Sequence, residues 1–146
     1  MSGRMMSWVR LAQAAICYFI LVFGAGVLLG SVRVFWLEPR IEKSLAVLCE
    51  APFLVTAMVL AARWVLRKLA ISRDRGSLAI MGLIALLLQQ IADISLGVTL
   101  RGLTLTDQLR NFLTPQGAIY AVLLVTFAAV PQLINDRSSV SLRRPQ

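Results

Sequence analysis

Two carboxylates interrupt long apolar runs of this chain: Glu50 within residues 44–62 and Asp93 within residues 77–100. An ionised acid at the centre of a membrane helix costs about 2.5–3.5 kcal/mol on insertion scales, so such a residue calls for a partner or a task. Arg33 stands at the outer end of the first apolar run and Arg101 at the outer end of the run that holds Asp93, each within side-chain reach of an acid. At helical rise, both acids sit about 9–11 Å below the outer end of their segments, in the same half of a bilayer. Gln89, Gln90, Asp93 and Gly97 share one helical face, and Glu50, Leu54, Ala57 and Ala61 share another. The expectation is a polar cluster of Glu50, Asp93, Arg33, Arg101, Gln89 and Gln90, opening toward the outer surface. Two chemistries suit it. Arg33 with Glu50, and Arg101 with Asp93, can be ion pairs that fix helix register; alternatively the acids carry protons, cations or a small cationic substrate.

Other chemistries lack their residues. Histidine is absent, and Cys17 and Cys49 lie in separate apolar runs without a Cys-x-x-Cys spacing. Zinc, haem and thiol-relay sites are therefore not expected. No catalytic residue, metal or cofactor is assigned, and the chain is not read as an enzyme.

The elements that would hold these residues follow from hydropathy. The 146 residues are 58% hydrophobic, with mean hydropathy +0.77, yet carry a net charge of +8. A soluble fold of this length would expose long apolar patches. The charges flank apolar segments instead of forming a stripe, which suits anionic lipid headgroups and not nucleic acid. The fold class is therefore all-α: a single polytopic membrane domain, a four-transmembrane-helix bundle with a short interfacial helix. The spans are 11–32, 44–62, 77–100 and 115–134. The first runs 22 residues without a charge. That length crosses a bilayer core of about 30 Å and exceeds a secretory signal's apolar region. Pro52 is expected to kink the second span, and Pro131 to weaken the last turn of the fourth. Between the third and fourth spans, residues 103–113 place Leu105, Leu109, Phe112 and Leu113 on one face, with Thr106 as expected N-cap.

Basic residues set the orientation. The side holding the N-terminus, the central loop and the C-terminal tail has ten Lys and Arg, against five on the other. That bias puts both termini in the cytoplasm. Small residues suggest the packing: Gly24, Gly26 and Gly30 on the first helix include a G-x-x-x-G, and Ala57 and Ala61 on the second offer an intramolecular counterpart. Trp8, Trp36 and Trp64 fall at the expected interfaces.

Several of these residues recur in a known group. Phe23-Gly24-Ala25-Gly26, Gly30-Ser31-Val32-Arg33, Pro39-Arg40, Glu50-Ala51-Pro52 and Ala62-Arg63-Trp64 together resemble an uncharacterised family of small bacterial four-helix inner-membrane proteins. The resemblance covers the first half of the chain and implies a bacterial inner-membrane location without a known activity. Small multidrug-resistance transporters differ in placing their glutamate in the first helix. Membrane-bound glutathione-dependent enzymes share a fragment like Glu50-x-Pro52-Phe53, but not the histidine pattern around it.

The functional expectation is a non-enzymatic accessory, assembly or interaction subunit acting through helix packing. Its partners are the lipid bilayer, anionic lipids at the cytoplasmic face, and a larger membrane protein or a second copy. The alternative is a small transporter or proton/cation pathway using Glu50 and Asp93.

Overall fold

The computed structural model describes residues 2–71 and 74–141, with side chains for residues 8–71, 74–99 and 102–134. Its elements are α1 (Ser2–Val32), a π-helical turn (Arg33–Leu37), α2 (Lys43–Lys68), α3 (Arg75–Arg101), α4 (Leu105–Asn111) and α5 (Pro115–Ser141). Four segments are long and apolar enough to cross a membrane: Trp8–Leu37, Lys43–Lys68, Arg75–Thr99 and Pro115–Ile134. Each helix outruns the uncharged stretch read from sequence. Charge halts an apolar run but not a helix, whose backbone hydrogen bonds continue through Arg, Lys and Glu.

Caps define the connections. Asp74 accepts from the Ser77 N–H at 2.8 Å and opens α3. Gly102, at φ +60°, closes α3, and the Leu103 N–H reaches back to the Gly97 carbonyl at 3.1 Å. Only glycine takes that left-handed conformation without a Cβ penalty. The N-cap of α4 is Thr104, not Thr106. Its hydroxyl accepts from the Asp107 N–H at 3.2 Å while its own N–H donates to the Asp107 carboxylate at 3.0 Å. The reciprocal pair satisfies two orphan donors at once, which an N-cap at Thr106 would not. The Thr104 hydroxyl and N–H hold the Asp107 carboxyl below the usual carboxylate range. The cap's contribution is therefore present near neutral pH and lost as pH falls through that lowered value.

In the packing, α1 lies against α2 and α3, and α5 lies against the same two helices. α2 and α3 thus occupy opposite corners, as do α1 and α5. Among the described residues the apolar core occupies one half: residues 11–22 of α1, 58–66 of α2, 78–85 of α3 and 123–130 of α5 supply nearly all of it. Short connections make successive helices antiparallel, so these four stretches lie side by side. The opposite half holds the polar residues.

Tyr18 crosses the core from α1 to α5. Its ring stacks on Phe127 with centroids 4.7 Å apart, and its hydroxyl donates to the Phe127 carbonyl at 2.9 Å. That carbonyl is one the helix cannot satisfy itself. Its regular donor would be the N–H of residue 131, which is proline and has none. α5 continues through Pro131 to Ser141, where the sequence suggested an ending near residue 134. Tyr18→Phe is expected to destabilise the fold by about 1–2 kcal/mol, because a buried acceptor loses its donor. Pro131→Ala restores the backbone donor and should shrink that loss. Unfolding of the two single variants and the double variant in mixed micelles measures the coupling. Equal losses in both backgrounds would show that the hydroxyl does not serve the proline-freed carbonyl.

Candidate functional site

The polar residues form two clusters. The first joins the end of α1 to α2. Arg33 opens the π-helical turn, whose wider register bonds the Glu38 N–H to the Arg33 carbonyl at 2.9 Å. An i→i+5 bond sets residue 38 one turn above residue 33, so both side chains emerge on the same side. Arg33 Nη1 lies 3.1 Å from Glu50 Oε2, and Arg33 Nε lies 3.3 Å from Glu38 Oε1. The Nε contact is an ion pair by distance but lacks hydrogen-bond alignment. The Glu50 side chain is only 7% exposed, whereas Glu38 keeps 24%. One guanidinium therefore serves a buried carboxylate and a more accessible one.

Gly26 and Gly30 face this junction. A Cβ at Gly30 would sit 3.9 Å from Glu50 Oε1, and one at Gly26 would sit 3.7 Å from Leu54 Cδ2. Both are ordinary van der Waals distances, without the close backbone approach that the G-x-x-x-G suggested. Gly24 packs on nothing: it is exposed, and a Cβ there meets no atom within 4 Å. Two residues before Gly26 on a helix, it points well away from the face that meets α2. Ala61 is buried in the core, and Ala57 is half-buried.

The second cluster joins α3 to α5. Gln89 Nε2 donates to Asp93 Oδ2 at 3.0 Å, and the Tyr120 hydroxyl donates to the same oxygen. Gln89 Oε1 is buried without a hydrogen-bond partner. Gln90 is half-buried, and its side chain makes no hydrogen bond among the described residues. The expected approach of Arg101 to Asp93 lies outside the described side chains. Phe112, just after α4, leans on Tyr120 with ring centroids 5.9 Å apart. From α4, Gln108 Nε2 reaches the Ile94 carbonyl at 3.4 Å.

The five expected residues whose side chains are described thus do not gather at one point. α2 and α3 are diagonal, and no hydrogen bond or ion pair among the described residues links the Glu50 cluster to the Asp93 cluster. Two participants went unnoticed in the sequence. Glu38 pairs with Arg33 only because of the π register, which nothing in residues 33–37 announces. Tyr120 carried a signal: the two tyrosines of the chain both fall inside apolar runs, where a phenol needs a partner for its hydroxyl.

Among the described residues, no three His, Cys, Asp or Glu side chains converge on a metal position. Comparison of the chain with protein families, with curated proteins and with solved structures finds no match.

Proposed function

We propose that the chain is a bacterial inner-membrane protein that acts without catalysis, as an accessory, assembly or interaction subunit working through helix packing. One observation carries this reading. The buried Glu50 is held by Arg33, which is itself shared with Glu38, so the charge is committed to joining α1 to α2. A carboxylate paired in this way is a poor carrier, since the guanidinium must leave before a cation can enter.

The same reading places α1, α2, α3 and α5 as a four-transmembrane-helix bundle with both termini cytoplasmic, following the bias of basic residues. Arg63, Arg67, Lys68 and Arg75 are exposed at the end that would face anionic cytoplasmic lipids. Leu105, Leu109 and Leu113 are at least 60% exposed, which suits α4 lying in the outer interface.

A second reading, a small transporter or proton/cation pathway using Glu50 and Asp93, draws on the second cluster. There Asp93 is met by the neutral groups of Gln89 and Tyr120.

Gentle extraction followed by native mass spectrometry separates the two. Association predicts a stoichiometric complex with a larger membrane protein or a second copy, and no ion flux from the chain alone in vesicles. Flux that disappears in Asp93→Asn would replace this reading by the second. A monomer with neither partner nor flux would remove association. In the same preparation, Arg40→Cys should label from outside and Ala70→Cys should not, in a background lacking Cys17 and Cys49.

A further inference from the structure

The hydrogen bonds around Asp93 are unevenly distributed. Both donors, Gln89 Nε2 and the Tyr120 hydroxyl, converge on Oδ2. Oδ1 carries no hydrogen bond among the described residues. Gln89 Oε1, on the same amide whose Nε2 reaches Oδ2, is buried and has no donor. A buried acceptor without a donor is destabilising, and a hydrogen added at Oδ1 would offer it one.

We propose that Asp93 is a reversible proton-binding site whose two states are held by Gln89 and Tyr120. In the ionised state the arrangement is the observed one, with two donors on Oδ2. On uptake, a hydronium ion gives a proton to Oδ1: one of its O–H bonds breaks as the Oδ1–H bond forms, water leaves, and the carboxylate becomes a carboxylic acid. No other bond breaks, and no redox partner is needed. Rotation of the Gln89 amide then presents Oε1 to the new Oδ1–H, while Tyr120 keeps donating to Oδ2, now the acid's carbonyl oxygen. An amide carries a donor and an acceptor on one planar group, so a single rotation serves both states. A metal ion fits less well, because it would require several further oxygens, whereas the described side chains that bond Asp93 are Gln89 and Tyr120 alone.

Among the described side chains, few charges compete for this site. From α5 the titratable neighbour is Tyr120. From α1, Tyr18 donates to Phe127 in the core, and Arg33 is engaged by Glu38 and Glu50. From α4, Asp107 is tied into its cap and Arg110 is exposed. On α3 itself, Arg75 is at the far end, and the side chain of Arg101 lies outside the described residues. The proposal does not require transport, and it stands whether or not the chain has a partner.

Infrared difference spectroscopy of the full chain in lipid nanodiscs, stepped between alkaline and acidic buffer, tests it. A carboxylic-acid C=O band should appear on acidification and vanish in Asp93→Asn. Tyr120→Phe should retain the band at higher frequency, because a donor to its carbonyl oxygen is gone. Gln89→Leu should also retain it, displaced by loss of the contact to the O–H. These two variants keep the test decisive should Asp93→Asn fail to fold. If no acid band depends on these residues at any pH, Asp93 is a fixed anion and the proposal is overturned. It is equally overturned if exchanging sodium for choline at constant pH produces the same spectral change, which would identify a metal cation as the ligand.

Discussion

Arg33→Gln is expected to destabilise the fold by about 3–5 kcal/mol, the range seen when a buried pair loses one member. The direction follows from the sharing of the guanidinium. With Arg33 gone, Glu50, 7% exposed, faces Glu38 with no cation between them. Glu50→Gln should be milder, since Arg33 keeps Glu38 and its charge remains compensated. The Arg33→Gln/Glu50→Gln double variant should recover part of what Arg33→Gln loses, because the buried carboxylate then becomes a neutral amide. Equilibrium unfolding in mixed micelles ranks the three. A Glu50→Gln loss as large as that of Arg33→Gln would show that Glu38 offers Arg33 no effective second partner. A double variant no better than the worse single one would show that the Arg33–Glu50 contact has no energetic coupling.

The contact between Arg33 and Glu50 was legible in the sequence because it depends only on quantities that sequence fixes locally. The first two spans are consecutive, their connection is short, and counting turns from the outer ends places both side chains at neighbouring depths. Depth alone was insufficient for Asp93. Four antiparallel helices can be ordered around a bundle in more than one way, and apolar faces alone leave that order open. The placement of α5 between α2 and α3 is what separates Asp93 from Glu50 and gives it Tyr120 instead. Glu38 was hidden for a different reason. Its alignment with Arg33 needs one extra residue in a helical turn, and on α-helical spacing a side chain at i+5 points elsewhere. Tyr18 is intermediate: a mid-span tyrosine asks for an acceptor, but only the proline at the right register on another helix supplies one.

The glycines give the second large expected effect. Gly82→Ala should destabilise the fold by about 3 kcal/mol, at the upper end of ordinary overpacking. A Cβ at position 82 would fall 2.2 Å from the Ala128 carbonyl oxygen and 3.1 Å from its carbon. That oxygen belongs to the α5 backbone and cannot swing aside as a side chain can. The helices must separate instead, which opens the buried cluster that Leu78, Met81 and Ala85 form with Leu123 and Phe127. Gly24→Ala, by contrast, should stay within about 0.5 kcal/mol of the parent, since the new methyl meets no neighbour. The motif on α1 drew attention because two glycines four residues apart are visible in one segment. Between the long helices, the tight approach instead rests on Gly82 of α3 opposite a carbonyl of α5, a pairing across 46 residues that no local pattern encodes. The two seams are also separable: Gly82→Ala acts between α3 and α5, whereas Arg33 and Glu50 join α1 to α2. Combining Gly82→Ala with Arg33→Gln should therefore give additive losses within about 0.5 kcal/mol, as distant sites without shared partners do. Strong non-additivity would mean that the half containing the polar clusters moves as one unit with the apolar half, and that a wedge at Gly82 reaches the Arg33 junction.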